Sequence, residues 1–497
     1  MDINLQNNTF DNSNIKGLTG LLNMGNTCYL NSILQLLNNI PKLREFFVSK
    51  EYHMQLIENI KLKYLNLENE HNMNTIIDHF PQTISYKFEQ FFKTVWNDNE
   101  EIPIIKPSSF KKIIGDTNID FKSNSQQDPD ECLFIIFTII ENEIGYSADI
   151  FPNLTHEEIK SFEILDREFD YIEKIQNINF EEYTIRRSNL RLMEDNFPDI
   201  IKRYRQLIYL KNRYNNKNKK YSVCDKLFTI GEIQTINCIN CGYNSHTYED
   251  NTKISLPIHD SNLNENEIIL KMKTILFPFE NKQNETEIEM QIDENETETE
   301  SENDTLDSDN EELKKEDIKT IINQIKIPPP MLENIRRTRA IQLLQQDQSY
   351  TLDYYLNLHF SKEKLETLRK CDYCEEKCEG IKENKIWLLP QYLIIQLKRF
   401  DNFGNKNNKL IVFEENLDID KYIDVDLPDH LKTDTKYNLI GIVNHQGKSI
   451  NSGHYYSYCK NNELNRWFIF NDESISLPNK LVTPNAYILI YEKYILD

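Results

Sequence analysis

Two Cys-x-x-Cys pairs, Cys238 with Cys241 and Cys371 with Cys374, stand 130 residues apart at their nearest members. A pair at this spacing presents two sulfur ligands from one tight turn, and two such turns complete a tetrahedral zinc site of four cysteines. A chain that builds this site must bring two distant hairpins side by side, so the segment between them has to leave the fold and return. Its composition agrees. Residues 280–317 carry 17 acidic against 3 basic side chains, and few aromatic or branched apolar ones. Such a stretch buries too little apolar surface to offset the entropy of ordering it. Residues 261–345 are therefore expected to form an acidic, largely disordered insertion. Ser301 and Ser308 precede acidic residues and would suit an acid-directed kinase, although a solvated spacer is the simpler expectation. Cys378, four residues past Cys374, is expected outside the ligand set. Two redox pairs are the competing reading, but a reducing compartment favours metal at these spacings.

A different cysteine environment occurs near the N-terminus, in the run from Gly25 to Ser32. Tyr29, Ile33, Leu36 and Leu37, joined by Leu30 and Leu34, share one helical face. Asn26 or Thr27 can cap the start and Pro41 helps to end the helix. Cys28 then lies in the first turn, where unpaired backbone N–H groups and the helix dipole favour a thiolate over a thiol. Asn23 is placed to offer an amide N–H to a developing oxyanion. A buried structural cysteine on a core helix fits these residues equally well.

A nucleophilic cysteine needs a base, and the base needs an orienting partner. Residues 455–459 form a Tyr-rich strand, Asn461 to Asn465 a polar turn, and Trp467-Phe468-Ile469-Phe470 a second strand ending at Asn471-Asp472. Strands joined by a short turn bring their far ends together. His454 at the start of one would face Asn471 or Asp472 at the end of the other. An ordinary hairpin with a polar histidine at its mouth is the bland alternative.

With both boxes in view, the chain resembles the ubiquitin-specific protease family of papain-like cysteine proteases. Gly20 through Ser32 looks like the family's cysteine box. Gly453-His454-Tyr455 with Trp467 to Asp472 looks like its histidine box. Ser125-Gln126-Gln127-Asp128-Pro129-Asp130-Glu131 resembles the Gln-Gln-Asp motif. Leu227-Phe228, Gly231 and the Cys238 pair resemble the start of the fingers, and Leu389-Pro390 to Leu397-Lys398-Arg399-Phe400 the central palm strand. Five motifs occur in the family's order.

The resemblance implies an α+β, papain-like fold with a helical thumb, a β-rich palm and zinc-binding β fingers. It implies Cys28 as nucleophile, His454 as general base and Asn23 as oxyanion stabiliser. The residue after the Phe of the last box orients the histidine, which here is Asn471, with Asp472 beside it sharing the role. The zinc of Cys238, Cys241, Cys371 and Cys374 would be structural, at the fingertips. Asp128 and Glu131 would meet the arginine-bearing tail of ubiquitin, whereas by themselves they describe an N-cap and favourable helix-dipole charge. His445, in a loop before the catalytic strand, would border the ubiquitin tail, or be a loop histidine without a catalytic part. The implied reaction is hydrolysis of the bond after the C-terminal glycine of ubiquitin in conjugates. Two other functions stay open: a protease for another ubiquitin-like modifier, and a non-catalytic ubiquitin-binding scaffold.

Domain expectations follow. Residues 1–16 form a polar tail and 17–495 the catalytic domain, with 17–222 as thumb, 223–260 and 346–388 as fingers and 389–495 as palm. The opening Met1-Asp2-Ile3-Asn4 gives no sign of a signal peptide, and the longest apolar runs are too short for a bilayer. A net charge of −23 disfavours nucleic acid as a partner. The basic stretch Lys211 to Lys220 is expected to be a solvated loop. An intracellular monomer, cytoplasmic or nuclear, acting on ubiquitin and ubiquitinated proteins without a membrane is the sum of these expectations.

Overall fold

The computed structural model describes residues 15–64, 72–97, 104–147, 156–175, 178–213, 220–258, 350–365, 367–371, 373–424 and 434–494. All but the last two residues of the N-terminal tail, the acidic insertion with Ser301 and Ser308, and most of the basic 211–220 stretch lie outside the described residues. The chain divides into two compact units, one of residues 1–257, 353–408 and 413–497, the other of 258–352 and 409–412. In the second, Tyr350–Thr351 pairs in parallel with Ile411–Val412. The candidate sites belong to the first.

Helices account for the N-terminal half of that unit: Cys28–Asn38, Pro41–Val48, His53–Tyr64, Asn72–His79, Ile84–Val95, Ser108–Thr117, Pro129–Ile144, His156–Ile175, Phe180–Asn196, Pro198–Arg213 and Val223–Phe228. Pro41 and Pro129 occupy first helical positions, where a missing N–H costs nothing. Pro41 thus opens the second helix, after the first has already ended at Asn38. All eleven residues of Cys28–Asn38 are buried, so this helix is surrounded by protein on every side and has no solvent stripe. It packs on the Pro129–Ile144 helix and on the strands Lys436–Ser449 and Ser452–Asn461. Gly441 makes that seat: a Cβ there would come within 2.3 Å of Leu36 Cδ1.

The larger sheet runs in the order Ser474–Ser476, Arg466–Asn471, Ser452–Asn461, Lys436–Ser449, Ala486–Lys493, Tyr392–Lys398, Ile254–Pro257, with Asn416–Asp418 also on Lys436–Ser449. Six of the seven residues of Tyr392–Lys398 are buried, as its unbroken apolar run requires of a strand covered on both faces. Ile254–Pro257 belongs here, parallel to Tyr392–Lys398, although residues 223–260 were expected to supply fingers alone. One apolar core joins helices and sheet, with Leu30, Leu34, Tyr455, Phe468 and Ile488 all within it.

A smaller antiparallel sheet has the order Asn244–Asn251, Ile230–Cys238, Gly380–Leu388, Glu363–Lys364. A separate two-strand ladder pairs Arg369–Lys370 with Lys377–Cys378. Leu352–Phe360, expected among finger strands, is a helix. Within the described residues no helix is long and apolar enough to cross a membrane.

Candidate active site

Cys28 begins its helix and is 3% exposed. Thr27 holds the N-cap position but makes no side-chain cap, so the first backbone N–H groups of the helix keep no such partner. Its hydroxyl instead accepts a hydrogen bond from the Met24 N–H at 2.9 Å, which folds the preceding turn back on itself. The Asn23 side-chain oxygen accepts from the N–H groups of Gly25 (3.0 Å) and Thr27 (3.2 Å). Gly25 and Asn26 adopt φ of 95° and 53°, so the turn bends sharply just before the sulfur.

His454 arrives on the hairpin of Ser452–Asn461 and Arg466–Asn471, registered with Ser457 opposite Phe470. That pairing carries His454 to Asn471, with Nε2 2.6 Å from the side-chain oxygen Oδ1. An amide oxygen only accepts, so Nε2 carries the proton and Nδ1 is left for the thiol. The hydrogen bond with Cys28 is the main reason that His454 is pushed up to about 9. The bond to Asn471 and the nearby charge of Asp472 act in the same direction, against burial. Gly453, just before the histidine, has φ 148°, and a Cβ there would lie 2.4 Å from His445 Nε2. Only glycine lets the strand pass over that ring and still aim His454 into the cleft.

Asp472 does not bond the histidine directly: its Oδ2 is 3.7 Å from His454 Nε2. It accepts from Asn23 Nδ2 at 2.9 Å and from Asn31 Nδ2 at 2.7 Å. The carboxylate therefore fixes two amides of the nucleophile region while adding negative charge beside the imidazole. The Asn23 backbone N–H donates to Glu473 Oε1 at 3.0 Å, a second tie between the two ends of the chain. Asn31 was not singled out from the sequence. Its position three residues after Cys28, polar on a helix of apolar neighbours, was the available signal.

His445 departs from its expected loop placement, whereas Asp128 takes the N-cap position that its own residues describe. His445 lies inside the strand Lys436–Ser449 and not in a loop, and its ring is wholly buried. Burial, with Lys406 and His454 nearby, pushes it down to about 4 and keeps it neutral. In this arrangement it cannot touch an incoming chain. Asp128 caps its helix, Oδ1 accepting from the Asp130 N–H at 2.8 Å, and Oδ2 accepts from the Tyr487 hydroxyl at 2.7 Å. Burial raises it to about 6. Both oxygens are engaged within the chain, and Tyr487 lies 359 residues away, so no local pattern could have revealed it. Glu131, one turn on, is exposed.

At the far end of the smaller sheet, the sulfur atoms of Cys238, Cys241, Cys371 and Cys374 all lie within 4.8 Å of one another. A tetrahedral zinc with Zn–S near 2.3 Å separates its sulfurs by about 3.8 Å. Cys241–Cys371 at 3.7 Å and Cys238–Cys374 at 4.0 Å bracket that edge, so these four residues can hold a metal ion. Gly242, at φ 73°, closes the first turn, and the Tyr243 and Tyr373 rings stack at 5.3 Å beside the cluster. Cys378, expected outside the ligand set, is not among these four, but it is buried with its sulfur 3.1 Å from that of Cys238.

A family profile described as ubiquitin carboxyl-terminal hydrolase matches residues 19–491. A probable ubiquitin carboxyl-terminal hydrolase of Acanthamoeba polyphaga mimivirus is 24% identical over 524 residues, covering 98% of this chain and 92% of that protein. Ubiquitin carboxyl-terminal hydrolase 2 of Homo sapiens is 23% identical over 484 residues, covering 96% of this chain and 55% of that protein. Among solved structures, a SAGA DUB module bound to monoubiquitin aligns with a TM-score of 0.52 and 19% identity, over 97% of this chain and 70% of that one. Its fold is the fold seen here.

Proposed function

Because the chain belongs to the ubiquitin carboxyl-terminal hydrolase family, whose members are cysteine deubiquitinases, we propose that Cys28, His454 and Asn471 cleave the bond after the C-terminal glycine of ubiquitin in conjugates. The observation that carries this assignment is His454 bonded to Asn471 at 2.6 Å and close enough to Cys28 for the thiol to raise its imidazole. The Cys28 thiolate attacks the glycine carbonyl carbon. The oxyanion that forms is met by backbone N–H groups at the helix start and by the Asn23 amide hydrogen that Asp472 does not engage. Imidazolium at His454 protonates the leaving lysine amine, and the C–N bond breaks to give a thioester. His454, now neutral, takes a proton from water, which attacks the thioester carbonyl; the C–S bond breaks, and the thiolate–imidazolium pair is restored. Asn471 holds the tautomer, and Asp472 holds Asn23 and Asn31 in place while favouring the charged imidazole.

Glu131 is the carboxylate best placed for the basic ubiquitin tail, since Asp128 is already bonded. The four cysteines would bind zinc as a structural ion, cross-linking two turns far apart in sequence. Ubiquitin and ubiquitinated proteins are the partners of this reading, in a monomer inside the cell, cytoplasmic or nuclear. The net charge of −23 speaks against nucleic acid.

Turnover of ubiquitin carrying a C-terminal fluorogenic amide, beside a panel of other ubiquitin-like modifiers carrying the same group, tests the substrate. Ubiquitin is expected to be cleaved fastest. Preference for another modifier would select the alternative protease. Tight ubiquitin binding with no labelling of Cys28 by a ubiquitin electrophile would select the scaffold.

The alkaline limb of kcat/KM is also expected near pH 9, where His454 loses the proton needed by the leaving amine. Asn471→Ala removes a hydrogen bond that raises His454, so the limb should move to lower pH. Activity should fall roughly ten- to hundredfold, short of the 10²–10⁴ that a general base contributes in full. A pH–rate profile with an unmoved alkaline limb in Asn471→Ala would remove Asn471 from the orienting role.

A further inference from the structure

Beside the four mutually close thiols of the fingers lies a fifth, Cys378, whose sulfur touches that of Cys238. Cys238 and Cys378 reach the same spot from opposite sides of one register. Cys238 lies opposite Gly380 in the antiparallel pairing of Ile230–Cys238 with Gly380–Leu388. Cys378 stands two residues before Gly380, in the short strand that pairs it with Arg369. The separation of 3.1 Å between the two sulfurs is well under the edge of about 3.8 Å that two sulfurs on one zinc must keep. Both cannot ligate one ion as they stand, and Cys378 overlaps the vertex that Cys238 fills. A narrow hollow lined by Ile236, Cys238, Tyr243, Cys371, Cys378 and Gly380 lies beside the two sulfurs. The Cys378 sulfur is otherwise only 3.8 Å from the Arg369 carbonyl oxygen, a weak contact for a thiol to give up.

Resting on the reading of these cysteines as a metal site, we propose that Cys378 is a reserve ligand, which takes the Cys238 vertex when Cys238 is lost. On ligation the Cys378 thiol gives up its proton to solvent, as any thiolate ligand does. The site would then keep four sulfurs after a change that would otherwise leave three.

Cobalt(II) is the probe, because the intensity of its thiolate-to-metal absorption counts sulfur ligands and its visible bands report tetrahedral geometry. The purified full chain is loaded in four forms: unchanged, Cys378→Ser, Cys238→Ser, and the double substitution. The unchanged chain and Cys378→Ser should each bind one ion through four thiolates. Cys238→Ser should do the same, with affinity lowered about tenfold or more, and the double variant should show three thiolates or lose the ion. No cobalt in the unchanged chain would overturn the metal reading itself, and the reserve role with it. One ion in the unchanged chain but three thiolates or none in Cys238→Ser would overturn the reserve role alone. Insoluble Cys238→Ser beside soluble, loaded Cys378→Ser would also overturn it, since a rescued site keeps its turns. Loss of the ion in Cys378→Ser alone would make Cys378 an obligate ligand and likewise end the proposal.

Discussion

Cys28→Ala should abolish hydrolysis of ubiquitin conjugates and leave ubiquitin binding in place. In the proposed mechanism the sulfur is the group that becomes acylated, and no other cysteine is shown beside His454, so nothing takes its place. The loss in kcat should be roughly 10⁵-fold or more, the scale on which removing a covalent nucleophile acts when oxyanion donors and binding survive. Binding should change little, because the side chain is 3% exposed and offers a ligand almost no surface. The helix should also remain formed, since alanine is a good helix former and the remaining ten residues of Cys28–Asn38 are buried against the core. Turnover of a ubiquitin amide and calorimetric binding of ubiquitin, measured on one preparation, separate the two quantities. Turnover above a trace in the alanine variant would displace Cys28 from the chemistry.

The second large effect belongs to His454→Ala, expected to lower kcat/KM roughly 10⁴-fold at neutral pH. His445 offers no substitute: it is wholly buried, held neutral, and screened from the cleft by Gly453. Two histidines nine residues apart thus have opposite fates, one raised to about 9 by its thiol, amide and carboxylate neighbours, the other lowered to about 4 by burial and nearby cations. Labelling of Cys28 by a ubiquitin electrophile should fall with the histidine and recover in part as pH rises, because hydroxide then does what the imidazole did. Labelling at an undiminished rate at pH 7 would mean that the thiol does not rely on His454.

Much of this was legible in the sequence, for identifiable physical reasons. The first helix could be read from its apolar spacing, and the His454 hairpin from two strands and a polar turn, because both are local patterns. Cys-x-x-Cys spacing likewise marked the fingers, since a turn of fixed size fixes the sulfurs. What stayed hidden depends on pairings between residues far apart in the chain. Asp128 could be read as an N-cap, but its bond from Tyr487, on the last strand, could not. His445 looked like a loop residue because Gln446-Gly447 follows it, yet the strand continues to Ser449 through a register shift. Asp472 looked like a spare orienter; its work is done on Asn23 and Asn31, more than 440 positions away. Cys378 was rightly left out of the ligand set, but its contact with Cys238 depends on strand register and could not be read from spacing.

The strand Ala486–Lys493 lies between Lys436–Ser449 and Tyr392–Lys398, in the middle of the larger sheet. It is also the last strand in the order of synthesis among the described residues. A growing chain on the ribosome therefore holds the nucleophile helix, the base hairpin and the fingers before it holds the piece that joins the two halves of their common support. Joining of this sheet therefore waits for residues 486–493, which are made after the helix that carries Cys28 and the hairpin that carries His454.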